Sequence, residues 1–353
     1  MKRLQSFDTL RFFLACIVVF HHASGMYLGK LFTTHLAVEG FFILSGFLLA
    51  QYFQRCNAVP YDQEQHPKII CEFLKNKFAR LYPEYLFALF LNLILDKLFI
   101  RHVHTETLPF NLLMITDIGR VNGIIFGSWF LATLMISEWL LFALMVRRGR
   151  IVFIFHIPFA VIAAIFLLNS ELGQVVAYER NMYFNLIPLT LVRALLGISV
   201  GCLLHYVCDL VKNFNWNVCE NKCKILIRIG EVAFLILCLK NLFRRHNGFK
   251  DFNIYFYFSF LVALFYFRKE WILKFMSMKI WESLSRRSYM LYLTHGIMLS
   301  LLFKYVSFLQ KMNYIVSSAV VIVGCIVFAC AMFSLQKKVF SWLKSWFRPV
   351  FSG

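Results

Sequence analysis

Ten stretches of about 20 mostly apolar residues follow one another along this chain, joined by short polar connections. They lie roughly at 10–28, 36–54, 81–100, 123–146, 151–168, 183–206, 225–242, 252–268, 285–305 and 314–335. In hydrocarbon every backbone N–H and C=O must find a partner within the segment, so apolar stretches of this length fold as membrane-crossing helices. The expected fold class is therefore all-α: a polytopic transmembrane helix bundle of about ten spans. The longest polar stretch, 51–77, leaves no room for a separate soluble domain, so residues 1–353 are expected to form a single integral membrane domain. Composition agrees. Hydrophobic residues make up 60% of the chain and charged residues 16%, where a soluble domain has about a quarter charged. A soluble enzyme, a disordered chain and a fibrous repeat are excluded.

The net charge of +19 would suggest nucleic acid in a soluble protein. In a membrane protein Lys and Arg collect in cytoplasmic loops, and no nucleic-acid partner is expected. With the N-terminus placed inside, 24 of the 37 Lys and Arg fall on the cytoplasmic side and 11 on the other, while Arg11 and Arg193 fall within spans. Both termini are therefore expected to be cytoplasmic. The loop holding Arg244, Arg245 and Lys250 goes against the rule. The start of the chain is basic and then apolar, but no small-residue cleavage site follows, so it is read as a retained first span. Cys219 and Cys223 stand four apart with no second ligand pair, and no metal site is expected.

Ionisable groups inside a membrane are costly and usually mark a site. Here they are Arg11, His21, His22, Glu39, Glu138, Arg193, His205 and His295. His205 is near a span end, where snorkelling explains it. Arg193 and His295 are about mid-span. Glu138 has no basic residue one turn away on its own helix and needs a partner from another helix or a proton. His22 lies about 16 Å beyond Arg11 along a helix. A neutral imidazole at that depth suits a general base. Glu39 opens the second span at a similar height, where it is expected to hold the other ring nitrogen of His22 and fix its tautomer, as the carboxylate does in a triad.

Several patches resemble, in order, the integral membrane acyltransferase family 3. Residues 7–22, FDTLRFFLACIVVFHH, carry an Arg, ten residues and a His, from Arg11 to His22. Residues 38–49, VEGFFILSGFLL, are similar to the family's Phe-Phe-x-Leu-Ser-Gly-Phe stretch. Lys77-Phe-Ala-Arg80-Leu-Tyr-Pro is similar to its Arg-x-x-Arg-aliphatic-Tyr-Pro segment. Ser128-Trp129-Phe-Leu, Arg193-Ala-Leu-Leu-Gly with Gly201, and Ser288-Tyr289-Met-Leu-Tyr292-Leu-Thr-His295 complete the set. The motif-bearing region runs from 7 to about 335. Departures are Lys77 in place of Arg, the adjacent His21, which leaves the base ambiguous by one residue, and Leu134 where many members have Glu.

The resemblance implies a transferase that moves an acyl group, most often acetyl from acetyl-CoA, onto a sugar hydroxyl of a bacterial surface glycan or its lipid-linked precursor. The setting would be the plasma (inner) membrane, with membrane lipids as surroundings. It implies His22 as catalytic base, and Arg11, Lys77 and Arg80 as the cations that hold the CoA phosphates at the cytoplasmic face. Arg193 and His295 are the mid-membrane groups available to the donor's thioester oxygen. A base that takes the hydroxyl proton as the thioester is attacked contributes about a hundred- to ten-thousand-fold, and the developing oxyanion wants a donor or cation. Direct transfer and an acyl-His intermediate both remain open. The outer-loop groups Arg101, His102, His104, Glu106 and Arg120 are candidates for glycan contact, or simply an exposed polar loop. Two other classes stand beside this reading: a transporter or flippase of a sugar or lipid-linked glycan, whose path intramembrane charges also line, and a structural membrane protein.

Overall fold

The computed structural model describes residues 5–28, 32–56, 63–100, 105–116, 121, 123–172, 182–184, 186–212, 220–244, 248–267 and 275–347. Twelve α-helices dominate these residues: α1 (Gln5–Leu28), α2 (Ala37–Cys56), α3 (His66–Leu95), α4 (Leu108–Leu112), α5 (Trp129–Arg148), α6 (Ile157–Leu172), α7 (Leu189–Lys212), α8 (Glu220–Leu242), α9 (Asn253–Phe267), α10 (Lys279–Ser285), α11 (Ser288–Tyr305) and α12 (Tyr314–Phe347). A two-residue antiparallel pairing of Met182–Tyr183 with Ile187–Pro188 leads into α7. The fold is all-α, and the chain is a multi-pass membrane protein.

Among the described residues seven helical stretches are long and apolar enough to cross a membrane: Gln5–Met26, Thr33–Cys56, Gln63–Phe99, Trp129–Arg148, Val152–Leu172, Leu189–Lys212 and Tyr314–Trp342. The segments expected at 225–242, 252–268 and 285–305 are present as α8, α9 and α11 but fall outside those seven. α9 is only 15 residues long, and α11 interrupts its apolar run with Thr294, His295, Ser300 and Lys304. The third span also starts earlier than its apolar run suggests. α3 begins at His66, with Pro67 in its first turn, and carries the polar residues up to Arg80 as helix before it reaches the apolar part.

Large side chains on the outer faces of the bundle are bare. On α6, Phe159 and Phe166 are 72% and 70% exposed, as expected for a surface that meets lipid rather than water. The main core lies between α2, α5, α7 and α9, and a second cluster fills the junction of α1, α11 and α12.

α2 and α7 approach most closely. Lipid offers no hydrophobic gain for bringing two helices together, so packing depends on small residues that admit a near backbone. A Cβ on Gly46 would lie 2.0 Å from the Ile198 carbonyl oxygen, and one on Gly201 would lie 2.1 Å from that of Ile43. Cys202 donates its thiol to the Gly46 carbonyl at 3.2 Å. The glycines of the second and fifth sequence patches thus face each other, and their contact fixes the register that brings Glu39 of α2 level with Arg193 of α7.

Candidate active site

The sequence patches, distant along the chain, meet in the bundle. The stretch before α5 turns at Gly127, whose φ of +77° suits glycine. The Gly127 carbonyl accepts a hydrogen bond from the Tyr292 hydroxyl at 2.6 Å. Ser128 does not cap α5; its hydroxyl pairs with that of Thr116 at 3.0 Å. These contacts seat Phe126 edge-on beside two imidazoles, with ring centroids 4.7 Å from His22 and 5.8 Å from His295.

His22 and His295 themselves are stacked, 5.4 Å apart and 26° from parallel. One atom of this pair is fixed by its chemistry. His295 Nδ1 lies 2.6 Å from the Tyr292 carbonyl oxygen. A carbonyl only accepts, so Nδ1 carries the hydrogen, and Nε2 of the neutral ring holds a lone pair. That Nε2 is buried and has no hydrogen-bond partner among the described residues. Neutral His295 is therefore a hydrogen-bond acceptor at this position, and the oxyanion-donor role considered from sequence requires that it first be protonated. His21 looks the other way. It is buried, shares a hydrogen bond from Nδ1 with the Thr34 hydroxyl at 3.0 Å, and packs edge-on against His35, 5.3 Å away. His22 is the member of the pair that faces His295.

The expected partnership of Glu39 with His22 is corrected. Glu39 is fully buried, and its two oxygens are taken by other groups. Arg193 Nε donates to Oε1 at 2.5 Å and the Tyr255 hydroxyl to Oε2 at 2.5 Å. The guanidinium also stands 5.3 Å over the Trp129 ring and reaches the His35 carbonyl at 3.5 Å. The physical reason is strength: a guanidinium is permanently charged and presents a rigid fork to a carboxylate, and helix register delivers it. Arg193, expected at the donor site, is in this structure engaged by Glu39 and Trp129. Through the His35 carbonyl it meets the turn at Thr33–Leu36, which carries His35 and Thr34. The same turn is tied to the end of α8, where the Thr33 hydroxyl donates to the Asn241 carbonyl at 2.6 Å.

Glu138 finds the cross-helix partner its position demanded: Lys77 of α3 forms an ion pair with it, with the two side chains 20% and 3% exposed. Lys77, expected as a phosphate ligand, is in this structure the counter-ion of a buried carboxylate. Arg11 is half-buried and paired with Asp8 one turn away at 3.3 Å, while Arg80 is exposed. Both lie close enough to Lys77 to interact with its charge, so the three cations expected together do share one region. His205, read as snorkelling, is instead buried at 3%, edge-on to Phe47 at 4.9 Å. Arg244, which stood against the orientation rule, pairs with buried Asp251 at 2.5 Å. Arg101, His102, His104, Arg120 and Cys219 lie outside the described residues.

Tyr255 was missed by sequence reasoning. It stands in a wholly aromatic and aliphatic run, and no spacing rule marks which tyrosine of such a run turns its hydroxyl inward. Intramembrane charges alone also fit a transport path, and the comparisons decide between the classes. No curated protein sequence and no solved structure matches the chain. A family model described as an acyltransferase domain matches residues 4–334. That match covers nearly the whole chain and every patch that converges on the His22–His295 pair, so the protein is a membrane acyltransferase that belongs to the integral membrane acyltransferase family 3.

Proposed function

We propose that this protein transfers an acetyl group from acetyl-CoA to a sugar hydroxyl of a bacterial surface glycan or its lipid-linked precursor, as a single domain in the inner membrane. The observation that carries the reading is the stacked His22–His295 pair, with one tautomer set by the Tyr292 carbonyl and one lone pair left without a partner. The family resemblance supplies the donor and acceptor classes.

The chemistry needs few parts. The acceptor hydroxyl gives its proton to His22 as its oxygen attacks the thioester carbonyl. The C–O bond forms, the C–S bond breaks, and the CoA thiolate takes the proton back from the His22 imidazolium. His295 Nε2 accepts a hydrogen bond from the substrate and holds it against His22. The Glu39–Arg193–Tyr255 network positions the Thr33–Leu36 turn and through it the His21–His22 end of α1. General base catalysis of this kind is worth about a hundred- to ten-thousand-fold. His22→Ala is therefore expected to lower turnover by that factor while the protein still inserts and melts as the parent does.

The test is to compare surface glycans, by mass spectrometry, from cells with the gene, without it, and with His22→Ala. Loss of one acetyl increment in both altered strains supports the reading. An unchanged glycan in the deletion strain overturns the acceptor class. Normal acetylation by His22→Ala, with loss in His21→Ala, moves the base by one residue.

A further inference from the structure

The end of the bundle where α1 begins carries a second group of cations that the site above does not use. Lys279, Arg286 and Arg287, from α10 and the turn into α11, join Glu282, Phe333 and Lys337 around a cavity of about 270 Å³. Arg286 is engaged by Glu282. Arg287 donates from Nη1 to the carbonyl and the hydroxyl of Ser283 at 2.5 and 2.6 Å, and its Nε is buried without a hydrogen-bond partner among the described residues. Its guanidinium stands 5.6 Å over the Phe333 ring, and the Lys337 ammonium stands 4.4 Å over the same ring. Two cations drawn to one aromatic ring repel each other unless an anion lies between them.

From this cavity polar groups lead inward along the seam of α3 and α11, which are in contact. Glu84 of α3 lies within electrostatic reach of Lys337 and of Arg80. Tyr289 of α11 lies within reach of Glu84 and of Tyr292. Glu84 Oε2, the Tyr289 hydroxyl and His295 Nε2 are each buried without a hydrogen-bond partner among the described residues. Groups of this sort are costly to leave unmet and call for an explanation. Arg287 and His295 bracket the row, about 12 Å apart along the helix at 1.5 Å per residue.

We propose that this cavity binds the phosphate groups of the acyl donor, with Arg287 and Lys337 as ligands, and that the donor's pantetheine arm runs along the α3–α11 seam to His295. The proposal rests on the CoA thioester donor named above and says where that donor lies. Phosphate matches the cations, and Arg presents the geometry that binds it bidentately. Pantetheine carries two amide groups, whose N–H suits the Glu84 carboxylate and whose C=O suits the Tyr289 hydroxyl. With Lys77 held by Glu138, the phosphate set shifts from α1 and α3 toward α11 and α12, with Arg80 between. A phospholipid headgroup offers the same phosphate chemistry, but it would leave the inward row of polar groups without a purpose.

The experiment measures binding of coenzyme A, and of pantetheine, which lacks the phosphates, to the full chain in nanodiscs with and without phosphatidylglycerol. Wild type is compared with Arg287→Gln, Lys337→Gln and the charge-keeping Lys337→Arg. Each Gln variant is expected to weaken coenzyme A binding about tenfold, which is about 1.4 kcal/mol. Pantetheine binding should be unchanged, Lys337→Arg should restore most of the loss, and phosphatidylglycerol should have no effect. Unchanged coenzyme A affinity in both Gln variants overturns the proposal, as does an equal loss for both ligands. Loss of retained phosphatidylglycerol with coenzyme A affinity intact makes the cavity a headgroup site and also overturns it. Wild-type protein that binds no coenzyme A defeats the proposed donor itself, a result distinct from wild-type binding that the variants leave untouched.

Discussion

Among the described residues, two ion pairs join helices across the interior of this bundle, and they differ in how completely they are enclosed. Arg193 and Glu39 are 3% and 0% exposed, with Tyr255 on the second carboxylate oxygen and Trp129 under the guanidinium. Lys77 and Glu138 are 20% and 3% exposed, and the ammonium lies near Arg11 and Arg80 at the edge of the bundle. The first pair is a saturated network between backbones in register. The second joins a helix that is mostly exposed to one that is mostly buried, through a flexible side chain that can retreat to the interface. Charge inside a membrane thus takes two forms here, one that holds the site's scaffold and one that leaves its cation partly accessible.

That contrast makes ordered predictions. Removing one partner of a buried pair strands the other and costs about 3–5 kcal/mol. Arg193→Met or Glu39→Leu should therefore lower the melting temperature in detergent more than any change at the second pair. The double variant should recover much of the loss; if it melts lower than either single, the network picture fails. Gly46→Ala comes next. Overpacking costs about 1–3 kcal/mol where side chains can yield, and here the obstacle is a carbonyl oxygen 2.0 Å from the new Cβ. The loss should reach the top of that range by the same melting assay. A third, smaller effect is expected at the edge pair. Lys77→Met should cost about 1–2 kcal/mol, because the part-exposed cation contributes less while Glu138 can take up a proton. A loss equal to that of Arg193→Met would erase the distinction. The smallest effect is at Gly25 in α1, where an added Cβ meets nothing within 4 Å. Gly25→Ala should leave melting unchanged or raise stability by up to about 1 kcal/mol.

The sequence showed the class of fold plainly, because long apolar runs admit one kind of structure. It also showed which ionisable residues lie inside the bundle, since Glu39, Glu138, Arg193 and His295 break apolar runs and are all buried. What it hid was pairing. Glu39 and Arg193 are 154 residues apart, and nothing local says that α2 lies on α7 rather than α1. The short loop to α1 made His22 the nearer candidate for Glu39, and the glycine contact with α7 overrode it. Glu138 demanded a partner, but Lys77 belonged to a polar stretch that read as connection and is helix. The tautomer of His295 was hidden for a different reason: it depends on a carbonyl one turn back, which every helix has and few histidines use.

The contact of α2 with α7 has a mechanical consequence. Where side chains separate two helices, rotamer changes let them slide or tilt at little cost. At Gly46 and Gly201 main chain abuts main chain, and no rotamer is available to absorb a displacement. These two helices must move as one body, carrying Glu39 and Arg193 with them. Relative movement is less restricted where α1, α11 and α12 meet, because side chains such as Phe12, Leu291, Phe303 and Val321 separate those helices and can change rotamer. One wall of the site is an anvil, built from main chain pressed against main chain.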